Sequence, residues 1–130
     1  MPHKKRDPAY LWDILNAGRS IQRHLAGVAL EQFLADELRC LAVERLFEII
    51  GEAARRISEE FKNEHQEIPW ADLIALRHVV AHEYDNLDYD EIWAIATKDV
   101  PTLLDALTPL AQPPPRDPED RTPPASQGNS

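Results

Sequence analysis

The chain has 130 residues, enough for one domain that buries roughly two thirds of its unfolded surface, and its 43% apolar and 28% charged residues are ordinary for a globular protein. Its formal charge is −9, and residues 7–111 hold −11 once the +3 of Lys4, Lys5 and Arg6 and the −1 of residues 112–130 are set aside, so non-specific nucleic-acid binding through a broad basic face is excluded and any RNA or nucleotide site must be local. No apolar run approaches the roughly 18 residues of a membrane span and the basic start lacks the apolar stretch of a signal peptide, so a soluble, cytoplasmic protein with no membrane partner is expected.

Residues 1–7 read as a short basic extension and residues 8–110 as one helical domain. Asp7 and Pro8 mark a helix start: aspartate can cap free N–H groups, and a proline in the first turn gives up a donor that has no partner there. Leu11, Ile14, Leu15, Ile21, Leu25 and Val28 recur at helical spacing and predict a first helix from Pro8 to about Leu25. Gly18 weakens its middle by about 1 kcal/mol relative to alanine, and Gly27 is its exit. After a turn or broken first turn around Gln32 to Leu34, Asp36 caps a longer second helix that runs to about Phe61 or Lys62. It carries Leu38, Leu41, Ala42, Arg45, Leu46, Ile49, Ile50, Ala53 and Ile57, a wide stripe that reads as core or as the seam for a partner helix. The single cysteine, Cys40, lies within this helix, cannot form an intramolecular disulfide, and suits a reducing compartment.

Pro69 and Trp70 begin a third helix whose apolar side is Leu73, Ile74, Leu76, Val79 and Val80. Asn86 and Leu87 make a turn, and Asp88 caps a fourth helix with Glu91 three residues on. Pro101 falls inside that last helical pattern and is expected to kink or split it, because it removes a backbone donor and crowds the preceding turn. Residues 111–130 read as a disordered proline-rich tail: from Gln112 onward there are six prolines in 19 residues and almost no apolar content to offset the entropy of ordering. The predicted fold is all-α, four helices with short links in an antiparallel bundle. Helices this apolar in a chain this small tend to finish their core at a subunit interface, so a homodimer is expected.

Chemically able side chains crowd together in one place, the stretch from Leu76 to Tyr84, which holds Arg77, His78, His82 and Tyr84. His78 and His82 are four apart and share a helix face, whereas Arg77 and His82 are about 140° apart on a regular helix and converge only if the helix loosens or a second subunit supplies one of them. Three readings follow from the residues alone. The first is metal-independent cleavage of RNA, in which Arg77 clamps a phosphate and His82 moves a proton, the 2′-hydroxyl being a built-in nucleophile. The second is a metal site of His78, His82 and Asp85 at i, i+4, i+7, which requires the helix to persist through Asp85. The third is structural: Arg77 pairs with acids on a neighbouring helix, and His82 is a helix-end histidine favoured by the helix dipole.

The order Arg77, His78, three residues, His82, Glu83, Tyr84 resembles the signature of the HEPN superfamily, and more closely that of its HepT-like toxin branch, arginine, four to six residues, histidine, any residue, tyrosine. The flanks are similar too: Glu44-Arg45-Leu46 and Ile49 to Ala53 before the motif, Asp88, Ile92-Trp93 and Asp99-Val100-Pro101 after it. The likeness covers roughly residues 8–108. It implies an all-helical dimer whose two motif copies meet in one cleft, and a ribonuclease toxin of a type II toxin–antitoxin pair that needs no cofactor. Carried over by position, Arg77 and His82 match the catalytic pair, His78 the polar residue beside the arginine, and Tyr84 the tyrosine to which a minimal nucleotidyltransferase antitoxin attaches AMP. Family members often have asparagine where this chain has His78. The substrate implied is RNA, a tRNA or an mRNA; the alternative in another class is a non-catalytic helical module that partners a nucleotidyltransferase.

Overall fold

The computed structural model describes residues 6–81 and 89–111, with the backbone alone for residues 78–81. Among these residues the chain is all-helical and contains no strand. In chain order the α-helices are α1 (Asp7–Leu25), α2 (Leu30–Leu34), α3 (Glu37–Arg56), α4 (Glu59–Glu64), α5 (Trp70–Ala81), α6 (Tyr89–Ala94) and α7 (Val100–Leu107). A π-helical segment, Ile95–Asp99, joins α6 to α7, and a 3₁₀ turn, Thr108–Leu110, follows α7. The expected turn at Asn86 and Leu87, the Asp88 cap, the proline-rich tail from residue 112 and residues 1–5 of the basic extension lie outside the described residues.

The first helix has the predicted extent, and Leu11, Ile14, Leu15, Ile21 and Leu25 are its buried face. It ends at Gly27, whose φ of 72° is the left-handed conformation that glycine adopts without a Cβ penalty. The predicted turn at Gln32 to Leu34 is a short helix instead. The Gln32 side chain reaches back to accept the Ala29 N–H at 2.8 Å, and Phe33 drives a fully buried ring between Tyr89 and Trp93, at centroid distances of 6.2 and 5.3 Å. That packing offsets the cost of starting so short a helix. Asp36 caps α3 as expected, accepting the Arg39 N–H at 3.1 Å.

α3 is the central rod, packed against α1 on one side and α5 on the other, while α7 folds back onto α1. Three sequence expectations are corrected along it. The second helix does not run to Phe61 or Lys62: it stops at Arg56, Ile57 is extended at φ −64° and ψ 141°, and Ser58 caps the separate α4 by accepting the Phe61 N–H at 3.1 Å. Asp7 does not cap α1. Its carboxylate, 2% exposed, accepts the Ser58 N–H at 2.9 Å and the Ser58 hydroxyl at 2.7 Å, so it closes the break between α3 and α4 rather than the start of its own helix. Finally, the face of α3 in the core is Cys40, Val43, Phe47, Ile50 and Ala54, and the predicted stripe members Leu38 and Leu41 are 80% and 47% exposed.

Pro101 lies in the first turn of α7, after the π segment. The Val100 N–H donates to the Ile95 carbonyl five residues back, so the chain has already widened by one residue when the proline arrives. Ile92, Ala96, Val100, Leu103, Leu104 and Leu107 keep one face of this run in the core throughout.

Candidate functional site

Arg77 is placed by three local facts. α5 starts where the Trp70 indole N–H donates to the His65 carbonyl at 2.9 Å, just after Pro69, and the buried Leu73, one turn before the arginine, and Leu76, next to it, anchor the helix. Opposite it on α3 stands Gly51. A Cβ there would lie 2.9 Å from the Arg77 backbone nitrogen and would run into its Cγ, so the missing side chain lets the two helices meet at this residue.

The guanidinium of Arg77, 37% exposed, places Nε 3.3 Å from Oε1 of Glu52, the neighbour of Gly51. Glu52 also receives Arg55, whose Nη2 donates to Oε2 at 2.7 Å and whose Nε approaches Oε1 at 3.4 Å, and Arg56, whose Nε donates to Oε2 at 2.9 Å. The Arg55 hydrogen bond is the largest influence holding the Glu52 carboxyl down at about 2, well under its ordinary 4.5, against a partial desolvation that acts the other way. One carboxylate thus gathers three guanidinium groups and leaves a local charge of +2 on a strongly acidic body. Arg77 and Arg56 each engage Glu52 through Nε, so their paired terminal nitrogens form no hydrogen bond among the described residues and present forks that match a phosphate.

Adjoining this cluster, between α1 and α3, Tyr10, Asp13, Arg45, Glu48, Ile49, Glu52, Ala53 and Arg56 line a depression of about 180 Å³. Burial raises the pKa of Asp13. At the start of α6 the Tyr89 hydroxyl donates to Glu44 on α3; burial first, and that hydrogen bond second, push the Tyr89 pKa up. A larger cavity of about 480 Å³ between α5 and α7 has an apolar floor and the carboxylates of Glu67, Asp72 and Asp99 on its rim, but Arg77 takes no part in it.

Of the residues singled out from the sequence, Arg77 is placed in full and His78 by its backbone on α5, while His82, Tyr84 and Asp85 lie outside the described residues. The convergence of Arg77 with His82 and the three-ligand metal set therefore lie outside them too. Among the described residues no group of three or more histidine, cysteine, aspartate or glutamate side chains could hold a metal ion. Glu52, Gly51, Arg55 and Arg56 were not candidates from the sequence. Gly51 and Glu52 did fall in the flank that carries the family resemblance, but their pairing with a residue 25 positions later has no local signature.

Comparisons with known proteins identify the family. Residues 14–110 match the family model described as Ribonuclease HepT-like. The chain is 34% identical over 100 residues to "Putative RNase MJ1380" of Methanocaldococcus jannaschii, covering 76% of this chain and 92% of that protein. It is 36% identical over 100 residues to "Probable ribonuclease HepT" of Thermococcus cleftensis, covering 77% and 91%. A third relative, "Putative RNase TTE0752" of Caldanaerobacter subterraneus, is 33% identical over 94 residues, covering 72% and 84%. No solved structure matches the chain. With three quarters of its length matched by the family model and by relatives aligned over nearly their whole length, the chain belongs to the ribonuclease HepT-like family of the HEPN superfamily.

Proposed function

We propose that this protein is a metal-independent RNA endonuclease and the toxin of a type II toxin–antitoxin pair. The observation that carries the reading is Arg77: the arginine of the family-like motif is held by Glu52 and 37% exposed, and its fork of terminal nitrogens makes no hydrogen bond among the described residues. In RNA the 2′-oxygen can attack the adjacent phosphorus while the bond from phosphorus to the 5′-oxygen breaks. One proton must leave the nucleophile and one must reach the leaving oxygen. Arg77 clamps the phosphate and stabilises its growing charge, and His82, which titrates near neutrality, moves the proton. His78 is the supporting polar group beside the arginine.

The proposed architecture is an antiparallel bundle of four principal rods, α1, α3, α5 and the run from α6 to α7, with the last rod bent at Pro101. Two copies pair so that the motifs face one cleft, which also brings Arg77 of one subunit near His82 of its mate. Tyr84 is the proposed switch: a minimal nucleotidyltransferase antitoxin transfers AMP to its hydroxyl, and the added bulk and negative charge occupy the space RNA phosphate needs.

The test is cleavage of RNA by the purified protein in a chelator. The parent should cleave and His82→Ala should not; if His82→Ala cleaves as fast as the parent, the assigned roles are wrong. Co-expression with an adjacent-gene nucleotidyltransferase should add the mass of AMP to the parent and nothing to Tyr84→Phe.

A further inference from the structure

We infer that Arg55, Arg56 and Tyr10 form a second nucleotide subsite beside Arg77, which takes the phosphate and base next to the bond that is cut. The inference rests on the ribonuclease reading for its substrate class and on the side chains of α1 and α3 for its geometry.

A carboxylate that holds one arginine needs one partner, yet Glu52 holds three, on Oε1 and Oε2 together. Arg55 and Arg56 are about half exposed, at 50% and 53%, so neither is a buried structural cation. Their long side chains would ordinarily sample many rotamers; the shared carboxylate fixes them against one another and against Arg77. The effect is a pre-organised set of donors that reaches from α5 across to α3, in a body whose other charge repels a polyanion. A single scissile phosphate needs one fork, so the other two arginines are in excess of what the cleavage step requires.

The depression between α1 and α3 explains where a base would go. Arg56 and Glu52 stand on its edge, and Tyr10 and Ile49 supply an aromatic and an apolar wall. Arg45 and Arg56 share it with Asp13, Glu48 and Glu52, so the depression itself carries −1 and does not favour a phosphate. It does suit an uncharged ring with amino groups to donate: a base against Tyr10, its phosphate on the arginines outside. Stacking and the phosphate contacts read no base edge, while the carboxylates favour a base with an exocyclic amino group, adenine, cytosine or guanine, over uracil.

The experiment measures binding of a short fluorescent single-stranded 2′-O-methyl RNA, which has no free 2′-hydroxyl and stays intact, over a range of salt concentrations. Arg55→Gln with Arg56→Gln should weaken binding by roughly ten-fold or more and make the salt dependence shallower by about one contact or more. Arg55→Lys with Arg56→Lys should retain most of the salt dependence. Arg23→Gln, an exposed cation on α1, controls for the loss of one positive charge elsewhere on the surface. Tyr10→Ala should weaken binding at unchanged salt slope, with Tyr10→Phe restoring it. Cleavage of ordinary RNA by the double glutamine variant should show a raised KM with kcat largely kept. If the double variant binds like Arg23→Gln, the subsite is overturned while cleavage by the parent still stands. A parent that binds the RNA through these arginines but cleaves nothing overturns the ribonuclease reading and leaves the subsite. If Tyr10→Ala binds like the parent, the base half of the subsite falls.

Discussion

Two glycines on the packed helices carry opposite expectations for alanine. At Gly18 a new Cβ would stand 2.7 Å from Leu104 Cδ2, the far end of a side chain that can turn away, and alanine gains about 1 kcal/mol of helix propensity. At Gly51 the obstacle is the backbone nitrogen of Arg77 at 2.9 Å, which moves only if α5 moves, and overpacking of that kind costs about 1–3 kcal/mol. Urea denaturation should therefore find Gly18→Ala near neutral and Gly51→Ala destabilised, with RNA cleavage lost beyond the loss of stability because Arg77 is displaced. Glu52 makes a second residue-scale prediction. Its folded pKa of about 2 lies below the ordinary 4.5, so the ionised carboxylate contributes to stability in full above pH 4.5 and loses that contribution as pH falls toward 2. Parent stability should fall across that window, and Glu52→Gln, already without the charge, should show a smaller fall by the same denaturation measurement. Equal slopes would mean that the arginines do not depend on Glu52.

At the scale of elements, the joint between α3 and α4 depends on one carboxylate from the other end of the chain. Asp7→Ala removes two hydrogen bonds to a buried charge and leaves the Ser58 N–H without its acceptor, so a loss of about 2–3 kcal/mol is expected. Ser58→Ala keeps the backbone donor but loses both the hydroxyl bond to Asp7 and the cap on Phe61. The double variant should be less destabilised than the two single losses added together, which a double-mutant cycle by denaturation would measure. This joint also shows what was readable in advance. The extent of α1, the start of α5, the Asp36 cap and the exit at Gly27 follow from local chemistry, and the sequence shows them. Ser58 ahead of Glu59 and Glu60 was a readable start signal for α4 that the continuing apolar pattern masked. Asp7 could not have been assigned to it, because a partner 51 residues away leaves no trace in spacing. The wide stripe of α3 was similarly ambiguous: two registers of apolar residues fit one helix, and only packing against α1 and α5 decides that Cys40, Val43, Phe47, Ile50 and Ala54 face the core. At the candidate site the arginine was visible in the sequence and its supporting residues were not, for the same reason.

For the molecule as a whole, the register left outside the core is the feature that bears on assembly. Leu34, Leu38 and Leu41 stand 44%, 80% and 47% exposed at i, i+4, i+7 spacing across α2 and the start of α3. If this face seats the second copy, burying it favours association by about 25 cal/mol per Å² of apolar surface, and a charge at its most exposed position opposes that. On the proposed dimer, Leu38→Asp should shift sedimentation to that of a monomer while leaving the helical circular dichroism intact; a dimer that survives the change places the interface elsewhere. The whole molecule also has a sequence in time. Asp7 is made 51 residues ahead of Ser58, and its acceptor role waits until Ser58 has been added, about 3–10 s later at ordinary rates of synthesis. Until then the start of the first helix has no fixed partner, so a fusion or truncation ahead of Asp7 acts on the molecule during its making, before the finished fold exists to resist it.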